Sequence, residues 1–245
     1  MNTNIWEYSF TVRSFDVDSN KNMTPVAISE YLQEVAGEHA NTMGFGYRQF
    51  VLQNMVWILS GIKIEVERLP VWEEKVFIKT WIVGNDKFTS RRDFQWLDAD
   101  GNVLINASTN WVLFNTQTRR PQLVERMSFA VEMFPDNVAT SAPVANIRGK
   151  IDNENPLEYM VRYSDLDMIG HMNNTKYIQL LIDSYGEDFN NKKRLKAIDI
   201  NFKTEAKFDE LLLLQSKQNT ENEYIHELKK AADGRVNCLA VISWK

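Results

Sequence analysis

The strongest constraint on this chain is an internal repeat. At an offset of 149 residues Val12-Arg13 meets Val161-Arg162, Asp16-x-Asp18 meets Asp165-x-Asp167, Met23 meets Met172, and Gly37-Glu38 meets Gly186-Glu187. At 136, Ile62-x-Ile64-x-Val66 meets Ile198-x-Ile200-x-Phe202, and Trp72-Glu73-Glu74 meets Phe208-Asp209-Glu210. At 133, Asp100-Gly101-x-Val103 meets Asp233-Gly234-x-Val236, and Trp111 meets Trp244. Any one match could arise by chance; the common order of all of them does not. The falling offset means shorter loops in the second copy.

Each copy reads as a strand, a helix and four antiparallel strands. Residues 6–13 suit a first strand. Thr24-Pro25 is a helix start, because Thr accepts from an orphan N–H and Pro fits the first helical position. Val26, Ile28, Tyr31, Leu32, Val35, Ala36 and Met43 recur near helical spacing until Gly44 and Gly46. From Met55 the period drops to two, with strands expected near 75–83, 88–97 and 103–114 and a hairpin turn at 98–102. In the second copy the helix starts at Asn173 or Asn174, and Tyr177, Ile178, Leu181, Ile182 and Tyr185 form its apolar face. One long helix ahead of a meander implies an α+β unit, the helix packed against a curved antiparallel sheet. The expected organisation is a first domain at 1–130, a linker at 131–157 rich in turn residues, and a second domain at 158–245.

Composition narrows the function. A formal net charge of −5 argues against nucleic acid and anionic membranes as general partners. Hydrophobic residues make up 44%, enough for a core, yet no apolar run has the length of a bilayer span. The start, Met1-Asn-Thr-Asn-Ile-Trp, lacks the pattern of a secretory signal, and the lone Cys238 precludes an internal disulfide. A cytoplasmic location is expected.

Chemistry concentrates in Val161–Tyr177, V-R-Y-S-D-L-D-M-I-G-H-M-N-N-T-K-Y, where two aspartates and one of three histidines precede a helix start. Asp-x-Asp occurs in both copies, which favours a turn or capping role, whereas Asn22 stands opposite His171. A feature kept in one copy is a candidate for function. His39 and His226 lack carboxylates at telling spacing and read as structural.

The segment Y-S-D-L-D-M-I-G-H-M-N-N-T-K-Y-I resembles the active-site segment of acyl-acyl-carrier-protein thioesterases of plant plastids and bacteria. Similar stretches are V-E-R-L-P-V-W, K-T-W-I, Ser90-Arg91-Arg92-Asp93, Asn110-Trp111-Val112, Asn115 and Thr118-Arg119-Arg120, in the family's order over most of residues 8–215. The resemblance implies a tandem, double hotdog fold, with the acyl tunnel mainly in the first hotdog and catalytic side chains in the second. It implies hydrolysis of fatty acyl thioesters on acyl carrier protein, with no metal and no organic cofactor. Asp167, His171 and Glu205 fall on the family's catalytic Asp, His and Glu. Glu205 has Leu69 opposite it in the first copy. Ile169 stands where the family has Asn, so either Asn173 supplies the missing amide or the enzyme is slower. Ala206 stands where plant members carry Cys, which removes a cysteine nucleophile.

The expected mechanism is attack by water. Asp167 and Glu205 hold and deprotonate it, His171 orients it and protonates the thiolate, and a helix beginning near Asn173 aims N–H groups at the oxyanion. Asn174 and Trp57 are expected to touch substrate, Trp57 among aromatics (with Trp81, Trp96 and Trp111) that are mainly core. Arg91, Arg92, Arg119 and Arg120 are expected to dock the acidic carrier protein. Rival readings are a coenzyme A thioesterase with the same site, a hotdog dehydratase, and a non-catalytic acyl-binding protein. Two fused hotdogs reproduce the pairing that single ones obtain by dimerising, so a monomer and a homodimer both stay open.

Overall fold

A computed structural model describes residues 4–126, 131–151 and 155–245. Residues 1–3 of the leader reading, 127–130 at the end of the expected first domain and 152–154 of the expected linker lie outside them. The chain divides into two units, 1–143 and 144–245. The first contains β1 (Ile5–Thr11), α1 (Pro25–Thr42), α2 (Tyr47–Phe50), β2 (Met55–Val66), β3 (Lys75–Asn85), β4 (Thr89–Leu97), β5 (Val103–Asn115) and the two-residue β6 (Arg120–Pro121). The second contains β7 (Leu157–Met160), α3 (Asn174–Asp183), α4 (Glu187–Lys192), β8 (Leu195–Phe202), β9 (Leu211–Thr220), β10 (Glu223–Lys230) and β11 (Val236–Trp244). The first unit orders its strands β1-β3-β4-β5-β2 and the second β7-β9-β10-β11-β8. Every one of these pairings is antiparallel. Apart from β6 the two units have one topology, that of a hotdog, as the repeat requires.

The helices begin where the sequence places them. Thr24 caps α1, its Oγ1 accepting from Ala27 N at 3.1 Å, with Pro25 at the first helical position. Apart from Ser29, the buried side chains of α1, Ala27, Ile28, Tyr31, Leu32, Val35, Ala36, His39 and Ala40, fall on one helical face. That face meets the first sheet: Tyr31 stacks on Phe10 of β1 at 3.8 Å and meets Trp96 of β4 edge-on at 6.1 Å. In the second unit α3 buries Tyr177, Ile178 and Leu181, and Tyr177 meets Phe202 of β8 edge-on at 5.7 Å. Register shifts at Leu59/Gly61 and Ile82/Gly84 bend β2 and β3, which is how a sheet curves about a helix.

The expected linker is not a free segment. In the first unit the N–H of Ala139 donates to Asp93 and that of Ser141 to Glu65. In the second, Ala145 N donates to Asp199 and Ile147 N to Asn201. Strand carboxylates and an amide thus satisfy main-chain donors of a stretch with no periodicity of its own, which is why it reads as unstructured in sequence.

Candidate active site

The loop carrying Asp167 and His171 is built from its own short-range hydrogen bonds. Asp167 Oδ1 accepts from Ile169 N at 3.0 Å and His171 N at 3.1 Å, and Asp167 N donates to His171 O at 2.7 Å. Gly170 takes φ +80°, a left-handed value that a side chain disfavours. Asn173 N donates to Asp165 O, and the buried Asp165 accepts from Tyr159 Oη and Arg162 N, both at 2.7 Å. The first unit repeats the device without the histidine. Asp18 Oδ1 accepts from Asn20 N at 2.8 Å and Asn22 N at 3.0 Å, Lys21 takes φ 62°, and Thr24 N donates to Asp16 O. One oxygen of Asp167 is therefore committed to shaping the loop, as Asp18 is where no histidine follows.

Glu205 reaches His171 from the turn between β8 and β9. Its Oε2 lies 3.6 Å from His171 Nε2 and its Oε1 4.0 Å from Lys207 Nζ. At 3.6 Å the imidazole and carboxylate face each other at a distance longer than a hydrogen bond. The two loops are fastened through main chain: Met172 N donates to Ala206 O at 2.8 Å, and Ala206 N donates to the hydroxyl of Tyr177 on α3 at 3.1 Å. Burial pushes the Tyr177 hydroxyl well above the ordinary tyrosine value, so it stays neutral. Asn237 of β11 donates from Nδ2 to the carbonyls of Thr204 and Glu205. Tyr177 and Asn237 are the residues that sequence reasoning missed. A signal for Asn237 existed, because it stands opposite the buried Leu104 at the repeat's 133-residue offset.

The N-cap of α3 lies two residues beyond His171. It is Asn173, whose Oδ1 accepts from Thr175 N at 3.0 Å and Thr175 Oγ1 at 3.1 Å. With Asn173 N and Thr175 N both bonded, the Asn174 N–H is the first-turn donor with no acceptor among the described residues. The Ile169 side chain is 44% exposed. A polar cleft of about 290 Å³ lies along α3, lined by Tyr159, Arg162, Asp165, Lys176 and Asp183. Neither His171 nor Glu205 lines it.

The remaining expected residues are scattered in role. Trp57 donates from Nε1 to Phe45 O at 2.9 Å and packs on a cluster that includes Phe45, Phe50, Ile82 and Leu113. Arg91 forks onto Asp93 at 2.9 and 2.8 Å. Arg92, expected at a docking surface, is 4% exposed. Its strand periodicity turns it inward, where Nη1 meets His39 Nδ1 at 2.7 Å and Thr80 Oγ1 at 3.2 Å. Desolvation lowers its pKa to about 9, which leaves it charged at neutral pH, so His39 accepts at Nδ1. Arg119 and Arg120 are exposed, Arg119 lying over the Phe114 ring. Cys238 is buried and its thiol pushed up to about 12 by burial, which keeps it protonated. Among the described residues no group of three or more His, Cys, Asp or Glu is placed to hold a metal, and no helix is long and apolar enough to cross a membrane.

Comparison with known proteins shows the family of the chain. The family model of the acyl-ACP thioesterase N-terminal domain matches residues 3–130, and that of the C-terminal domain matches residues 149–245. The chain belongs to the acyl-ACP thioesterase family. An oleoyl-acyl carrier protein thioesterase 2 (chloroplastic) of Arabidopsis thaliana is 30% identical over 240 residues, covering 91% of this chain and 65% of that protein. A dodecanoyl-[acyl-carrier-protein] hydrolase (chloroplastic) of Cinnamomum camphora is 26% identical over 222 residues, 85% of this chain and 58% of that one. The chain thus spans somewhat less than two thirds of the length of these curated relatives. Among solved structures, an acyl-ACP thioesterase from Bacteroides thetaiotaomicron superposes with a TM-score of 0.89 at 28% identity, covering 99% and 98% of the two chains. A 12:0-ACP thioesterase from Umbellularia californica, at 22% identity and TM-score 0.85 over 98% and 97%, shares the fold. The double hotdog fold of the family is the fold of this chain.

Proposed function

We propose that this chain hydrolyses fatty acyl thioesters of acyl carrier protein, releasing free fatty acid and holo carrier protein in fatty acid biosynthesis. The observation that carries the reading is the His171–Glu205 pair, 3.6 Å apart beside the N-terminus of α3, in a family whose members act on acyl carrier protein. Water held against Glu205 and His171 attacks the thioester carbonyl as Glu205 takes its proton. The C–S bond breaks, and that proton passes by way of His171 to the departing thiolate. The Asn174 N–H, the positive end of α3 and the Asn173 amide nitrogen stabilise the oxyanion. Asp167 shapes the loop that presents His171, and its second oxygen remains for the water. Asn173 stands in for the amide that Ile169 removes. Arg119 and Arg120 are the exposed cations offered to the acidic carrier. The single buried thiol suits a reducing compartment such as the cytoplasm.

A panel of acyl-carrier-protein esters of different chain length, each paired with the coenzyme A ester of the same acid, tests this by release of free acid. Turnover of at least one carrier-protein ester, faster than its coenzyme A counterpart, is the expected result. A strong preference for coenzyme A esters would replace the carrier protein as substrate. Absence of free acid from every ester would end the hydrolase reading.

A further inference from the structure

Asn237 occupies a seat that the repeat makes into an internal control. At the equivalent position of the first unit stands Leu104, buried like Asn237 itself. The main chain does the same work in both. Leu104 O accepts from Glu67 N at 3.0 Å and Arg68 N at 3.2 Å, as Asn237 O accepts from Lys203 N at 2.8 Å and Thr204 N at 3.3 Å. What differs is the side chain and what lies beyond it. Asn237 Nδ2 donates to Thr204 O at 3.1 Å, Thr204 Oγ1 at 3.3 Å and Glu205 O at 3.3 Å. Leu69, opposite Glu205, has its carbonyl met by the exposed Arg68 Nη1 at 3.3 Å. Closing this turn therefore does not require a buried amide.

The amide also carries a penalty. Asn237 is 0% exposed, and its Oδ1 has no hydrogen-bond partner among the described residues. A buried carbonyl oxygen without a donor destabilises a fold, and leucine at the same seat would not. The bonds from Nδ2 to the carbonyls of residues 204 and 205 offset part of that penalty, so stability gives the amide no plain advantage over the leucine of the first unit. The amide appears in the unit that also has His171 and Glu205.

We infer that Asn237 is a positioning residue for Glu205: by holding the carbonyls of residues 204 and 205 it fixes the backbone from which the Glu205 carboxylate meets His171. Ala206 is held from the other side by Tyr177 Oη and Met172 N, so three successive residues of the turn have their main chain anchored. A carboxylate acting on water must be held within a fraction of an ångström of its working position, and a turn exposed to solvent does not provide that unaided.

This rests on the role proposed for Glu205, and the test separates the two. Asn237→Leu, Asn237→Ala, Glu205→Gln and the double variant Asn237→Leu/Glu205→Gln are assayed as full chains on the carrier-protein ester that the wild type cleaves fastest. Asn237→Leu is expected to stay folded with a melting temperature near that of wild type, to keep KM within about twofold and to lose about tenfold or more in kcat, as the loss of one well-placed group does. The acid limb of its kcat/KM profile should move, because a displaced carboxylate titrates in different surroundings. Asn237→Ala should slow in the same way if leucine distorts the strand. The double variant should be no slower than Glu205→Gln alone. Wild-type kcat in Asn237→Leu, or a further tenfold loss in the double variant, would overturn the inference while leaving Glu205 in place. Undiminished turnover by Glu205→Gln would overturn the role of Glu205 and this inference with it.

Discussion

At the scale of single residues the two copies separate scaffold from chemistry. Asp18 and Asp167 make the same two main-chain bonds through one oxygen, so Asp167→Asn, which keeps an acceptor oxygen, reads the chemistry, whereas Asp167→Ala mixes loop damage with it. His171→Ala and Glu205→Gln are each expected to lower kcat about a hundredfold or more with an unchanged melting temperature, measured on purified variants by stopped turnover and thermal unfolding. Cys238→Ser should leave kcat within about twofold, since the thiol is buried and protonated. The motif made His171 legible in the sequence. Glu205 was legible only through the resemblance, because a glutamate on a polar turn has no local signature. Arg92 shows the reverse failure: a cation in a basic pair reads as surface until the strand's facing direction is known.

At the scale of elements, α3 serves both fold and site. Asn173 caps the helix with Oδ1 and retains Nδ2 as a donor, two roles that substitution can divide. Asn173→Asp keeps a capping oxygen and removes the donor, so it should lower kcat while changing stability little. Asn173→Ala removes both and should in addition cost about 1 kcal/mol of stability, read from chemical denaturation of the two variants side by side. Helix and strand boundaries were visible because period and cap signals are local: Thr24-Pro25 and the change of period at Met55 each depend on a few neighbouring residues. The stretch 131–151 was not, since its order comes from Asp93, Glu65, Asp199 and Asn201, far away in sequence.

At the scale of the whole molecule, stability carries a pH dependence to which His226 contributes. This histidine is 1% exposed, bonded to Tyr185 Oη and Ser216 Oγ at 2.7 Å each, and desolvation lowers its pKa from 6.5 to about 4. Between those values the unfolded chain binds a proton that the folded chain does not. The contribution of neutral His226 is complete above pH 6.5 and is lost as pH falls toward 4, an effect on the order of 3 kcal/mol. Melting temperature should rise from pH 4 to 6.5, and His226→Phe should flatten that rise. The sequence by itself determined the duplication, the element order and the loop that presents His171, because periods and caps are properties of residues close along the chain and the repeat needs only the sequence laid against itself; the hotdog fold was what the family resemblance implied. Only the tertiary structure decided which side chains meet: Glu205 with His171, Asn237 with the turn that carries Glu205, and Arg92 with His39. Such meetings depend on strand facing and register, which bring together residues that the chain keeps far apart.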